Sequence, residues 1–180
     1  MKIVVVISGF TQKNSENTGS KELWRQLRIE RDLLDARDAL VYLREWDTNW
    51  DDFSKEINLL EPTEVLVCAY SYGGGFGMPQ LCKRLLGTPV TCILCDPVYR
   101  SKTILGRWKA FLDRKIQVPD NVTVNHHFVQ KAKWWQLDGD PLKGGKSLCK
   151  TTILDYNHGA MDESYEYHEA AVMTALTLFK

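Results

Sequence analysis

The 180-residue chain carries 23 Lys or Arg and 23 Asp or Glu, a formal net charge of zero. A single domain, 1–180, with one core suits that length, and no net field draws the chain to nucleic acid or to an anionic membrane, so a small neutral partner fits better. No stretch approaches the roughly eighteen apolar residues of a membrane span.

The opening MKIVVVISGF runs into TQKNSENTGSKE without a small-residue cleavage site, so it reads as a first strand, 2–8, and not as a signal peptide, with a cytoplasmic location expected. A helix is predicted over 20–34, with Leu23, Leu27 and Trp24 on one face, then a strand over 39–43. Residues 51–60 follow as a capped helix with the stripe Phe53, Ile57 and Leu60. The apolar runs 64–69, 90–95, 122–129 and 151–155 give four further strands, and 104–112 and 162–179 two further helices. This alternation predicts an α/β fold, a single three-layer domain with a mostly parallel central sheet of about six strands. Residues 130–150 lack helical periodicity and form a long connection, a length that is often functional.

Five cysteines without a secretion signal argue for reduced core thiols. Cys92 and Cys95 have CxxC spacing, yet in a strand that spacing sends them to opposite faces, as it does the adjacent His126 and His127. Neither pair makes a metal site, and no cofactor is expected.

In a parallel sheet ligands gather beyond the carboxyl ends of the strands. The residues expected there include Gly9 and Phe10, Ser71, Asp96 and His158. A serine hydroxyl needs a histidine to take its proton and a carboxylate to orient that histidine. Ser71 stands in Ala69-Tyr70-Ser71-Tyr72-Gly73, where small residues two before and two after permit a sharp strand-to-helix turn. The amide after the nucleophile, that of Tyr72, then points to where an oxyanion forms. The glycine-rich run that follows offers no G-x-G-x-x-G register, because the third position falls on Met78 or Gln80, which disfavours a nucleotide site.

Three segments, Ser8-Gly9-Phe10-Thr11, the Ser71 turn and Asn157-His158-Gly159-Ala160-Met161-Asp162, together resemble the α/β-hydrolase superfamily, in particular its small lidless lipases and esterases of bacterial or phage type. The resemblance implies a minimal α/β-hydrolase fold and a serine hydrolase acting on a small acyl ester or thioester. It implies Ser71 as nucleophile, His158 as general base, and the amides of Phe10 and Tyr72 as oxyanion hole. For the acid, the family's commoner position points to Asp138 or Asp140, while Asp96, directly after the strand beside the nucleophile's, is favoured. Trp134 and Trp135 are candidates for a substrate wall, and no cap domain is expected over the site. The alternative is a hydrolase-like binding protein without turnover.

Overall fold

The computed structural model describes residues 1–12, 15, 17–85, 87–99, 115–131 and 139–180. The helix expected over 104–112 lies outside them.

The predicted strands form as β1 (Lys2–Ile7), β2 (Ala39–Arg44), β3 (Glu64–Tyr70), β4 (Val90–Cys95) and β6 (Val122–Gln130). Two short strands, β5 (Ile116–Val118) and β7 (Leu142–Gly144), pair with each other as a separate two-stranded sheet among the described residues. The sixth predicted strand, 151–155, forms as Thr151–Leu154, with a further two-residue strand ahead of it. Ser147–Leu148 (β8) and Thr151–Leu154 (β9) lie one after the other along β6. The seven-stranded sheet runs β2-β1-β3-β4-β6-β8, with β9 also on β6, and every pairing is parallel. The 130–150 connection, read as irregular from sequence, thus contributes β7 and β8 in its described part.

Helices cover both faces. On one, α2 (Trp50–Leu59) and α3 (Met78–Cys82) pack Trp50, Phe53, Ile57, Met78 and Leu81 against Ile3, Val5, Val67 and Leu94. On the other, α1 (Gly19–Leu33) and α4 (Tyr165–Phe179) pack Leu23, Leu27, Tyr167 and Ala171 against Val4, Val6, Cys68 and Ile93. β1 buries alternate residues into opposite layers, which explains its unbroken apolar run. Cys92 and Cys95 divide between the two layers as fully buried free thiols.

Helix starts follow the capping chemistry more closely than the apolar pattern. Asn49 caps α2 by accepting from the Asp52 amide at 3.3 Å, so the helix begins at Trp50, one residue before the predicted start at 51. The helix predicted from Asp162 begins instead at Tyr165, because residues His158–Glu163 wind as a 3-10 turn capped by Asn157 and Ser164 takes an extended backbone. The Asp162 carboxylate serves other amides, described below.

Opposite β4, β6 carries one extra residue. Cys92 pairs with Val124 but Ile93 pairs with His126, leaving Asn125 as a bulge. Before the bulge Val122 and Val124 face the α2/α3 layer, and after it Phe128 faces the α1/α4 layer.

Candidate active site

β3 and β4 end level with one another, Tyr70 opposite Cys95, and each chain then turns through the left-handed region: Ser71 at φ 52° and Asp96 at φ 44°. Such a conformation costs a side-chain-bearing residue on the order of 1–3 kcal/mol and persists only where its surroundings over-determine it. They do so at Ser71. Its N–H donates to the Cys95 carbonyl at 3.0 Å, and its own carbonyl accepts from Gly74 and Gly75 at 3.0 Å and from Val98 at 2.9 Å. Gly73 and Gly75 owe their identity to crowding. A Cβ on Gly73 would lie 2.5 Å from the Ser8 carbonyl oxygen, and one on Gly75 2.1 Å from that of Val98. The glycines let the turn after Ser71 sink against the ends of two neighbouring strands.

Asp96 is fully buried, with its amide donating to Phe128 O at 2.7 Å. Its Oδ1 accepts from the amides of Gln130 at 3.0 Å and Gly139 at 2.8 Å, and its Oδ2 stands 2.5 Å from His158 Nδ1. A carboxylate only accepts, so Nδ1 carries the proton and Nε2 is left as the acceptor. Ser71 Oγ lies 2.9 Å from that Nε2. The serine hydroxyl, the imidazole and the carboxylate therefore form one unbroken relay. His158 is held from a second direction as well, because the Tyr70 hydroxyl donates to its backbone carbonyl at 2.6 Å. Burial raises the Tyr70 phenol well above its ordinary range, which keeps it a donor at all working pH.

Among the described carboxylates it is Asp96 that meets the imidazole. Asp140 is buried and accepts from the Tyr99 amide at 2.7 Å, tying its loop to the chain beyond β4. Asp138 lies outside the described residues, as do Trp134 and Trp135, so the expected substrate wall has no described geometry.

Phe10 and Tyr72, whose amides are the expected oxyanion donors, sit where the strand order requires, after β1 and directly after Ser71. Their rings approach with centres 6.4 Å apart. One support is absent from the sequence reading. Asp162, in the turn that His158 opens, is buried, and its Oδ2 accepts from the Gln12 side-chain amide and from Ser20 N. Gln12 Oε1 in turn accepts from Gly9 N at 3.1 Å and from Ser20 Oγ at 2.8 Å. This chain fastens the histidine's turn to the loop that bears Phe10. Burial raises the Asp162 carboxyl, an effect opposed by the donors around it. Nothing in the spacing of residues so far apart in sequence signals the pairing.

Among the described residues no three His, Cys, Asp or Glu side chains gather closely enough to hold a metal ion, and no helix is long and apolar enough to cross a membrane. Comparisons with protein-family models, with curated proteins and with solved structures returned no match.

Proposed function

We propose that this chain is a serine hydrolase of the α/β-hydrolase kind, cleaving a small carboxylic ester or thioester through an acyl-enzyme on Ser71. The observation that carries the reading is the relay itself. Oγ, Nε2, Nδ1 and a buried carboxylate stand in hydrogen-bonded series at the carboxyl ends of parallel strands, with the serine on a left-handed turn.

In the first half-reaction Ser71 Oγ attacks the ester carbonyl carbon while His158 Nε2 takes its proton, and Asp96 offsets the charge that the imidazolium acquires. The negative charge moves to the carbonyl oxygen, where the amides of Tyr72 and Phe10 meet it. Collapse breaks the bond to the leaving group, which departs as an alcohol or thiol with the proton from Nε2. Water then attacks the acyl carbon, giving a proton to Nε2. The second collapse releases the carboxylic acid and returns that proton to Ser71 Oγ. The five cysteines are free and four are buried, and a reducing cytoplasmic setting is part of the same proposal.

Labelling by a serine-directed fluorophosphonate tests the reading. Ser71 should be the modified residue. Ser71→Ala should abolish labelling and lower hydrolysis of 4-nitrophenyl acetate by about 10⁴-fold or more, and His158→Ala should do nearly as much, because the two act as a unit. A folded wild-type protein that takes no label would favour the alternative, a binding protein without turnover.

A further inference from the structure

Four aromatic side chains from three strand ends meet beside Ser71. Phe10 follows β1, Trp46 follows β2, and Tyr72 and Phe76 follow β3. The Trp46 ring centre lies 5.0 Å from Tyr72, 5.2 Å from Phe10 and 6.4 Å from Phe76, and Tyr72 stacks on Phe76 at 5.4 Å. Tyr72 is buried, Trp46 and Phe76 are half-buried, and Phe10 is 60 % exposed. A cluster serving only the core would hide its members, whereas this one ends in an open ring at the flank of the nucleophile. The closeness is built into the backbone. A Cβ on Gly9 would lie 3.0 Å from Ser71 Cβ and 2.9 Å from the Tyr70 ring, so glycine there lets the loop press against the serine with Phe10 as the next residue.

We infer that this aromatic cluster seats the acyl part of the substrate, and that the preferred esters carry an aromatic or extended apolar acyl group. The inference rests on the hydrolase reading above. Its direction comes from proton transfer, because the leaving oxygen must take a proton from His158 Nε2 and so lies on the imidazole's side. His158 is held by Asp96 after β4 and by Tyr70, whereas β1 and β2 lie on the other side of β3 in the sheet. With the carbonyl oxygen on the Phe10 and Tyr72 amides and the leaving group on the imidazole's side, the acyl group extends away from His158, along the flank where the Phe10 and Trp46 rings stand. Flat rings packed edge to face present an apolar surface on which another ring packs well.

Two ester series separate the possibilities. With 4-nitrophenol as the common leaving group, kcat/KM for the phenylacetate should exceed that for the acetate by about tenfold or more, and Phe10→Ser should reduce that ratio by about tenfold, with Phe10→Leu in between. With acetate as the common acyl group, the ratio of benzyl to ethyl ester should not change in Phe10→Ser. Free phenylacetate should also slow fluorophosphonate labelling of the unmodified protein, a measurement independent of any variant's folding. A phenylacetate preference that survives Phe10→Ser, or no protection by phenylacetate, overturns the acyl seat. A change in the benzyl series instead assigns the cluster to the leaving group and overturns it equally. Labelling of Ser71 itself reports the hydrolase reading separately, since a protein that labels but shows no acyl preference loses only the seat.

Discussion

Ser71 and Asp96 follow strands buried on both faces, while His158 comes from the rim of the sheet. In β3 every residue from Val65 to Tyr70 is buried, whereas in β9 only Leu154 is. The difference shows two ways of fixing a side chain. Ser71 and Asp96 are placed by backbone ladders inside packed apolar layers, where moving one strand would open cavities in both. His158 has no such bed. Its position rests on individual polar ties: Asp96 on its ring, Tyr70 on its carbonyl, and Asn157, whose side chain accepts from the Ala160 amide at 3.1 Å.

The comparison breaks most sharply at the junction of the two regions. In Asp96→Asn the side-chain oxygen can still accept from Gln130 and Gly139, so the strand end should keep its shape, but the amide nitrogen would then confront Nδ1 and favour the wrong tautomer. Turnover of a 4-nitrophenyl ester should fall about 10³- to 10⁴-fold with the unfolding midpoint little changed. Asp140→Asn should cost far less activity, and the reverse ranking would return the acid to the later loop.

A second test concerns the tie between the central sheet and its rim. His127 on β6 is buried, and its Nδ1 stands 2.9 Å from Thr151 Oγ1 of β9. Burial pulls its imidazole from 6.5 down to about 4, against a smaller upward pull from Asp96. Over that interval the unfolded chain binds a proton that the folded one refuses. The stability contribution is therefore intact above pH 6.5 and declines as the pH falls toward about 4, by as much as about 3 kcal/mol. Urea titrations at pH 7 and pH 4.5 should show a smaller difference in His127→Gln than in the wild type. An equal difference would mean that this histidine titrates normally.

The smallest effect isolates one polar tie. Tyr70→Phe removes the donor to His158 O while keeping the ring, which should cost about 1 kcal/mol in stability. We expect kcat to fall about fivefold with KM nearly constant, as for a base that is less often in line. Unchanged kcat would mean that Asp96 alone orients the imidazole.

The same contrast explains what the sequence made legible. β1, β3 and β4 announce themselves because strands buried on both faces need continuous apolar runs, and the residues just past them, Ser71 and Asp96, are then located by counting. His158 was readable by its chemistry and its place before the last helix. The rim was less legible: β9 was read from the run over 151–155, but β8 is exposed and two residues long, and it is defined by its bonds to β6. The Gln12–Asp162 link and the meeting of Phe10 with Trp46 join residues distant in sequence, and only folding brings them into register. Asp162, the first residue of the helix predicted over 162–179, gives its carboxylate to Gln12 and Ser20 instead, and the helix begins at Tyr165.

The extra residue at Asn125 acts as a half-period phase shift in a pattern that otherwise alternates strictly. Upstream of it β6 keeps the parity of the α2/α3 layer, and downstream it keeps the opposite parity, so Gln130 arrives at the strand end with its amide on Asp96 Oδ1. Deleting Asn125 would leave a regular ladder in which His126 still opposes Ile93, so Phe128 would keep its layer and the Gln130 amide its carboxylate, because the bulge absorbs one residue without moving the strand end.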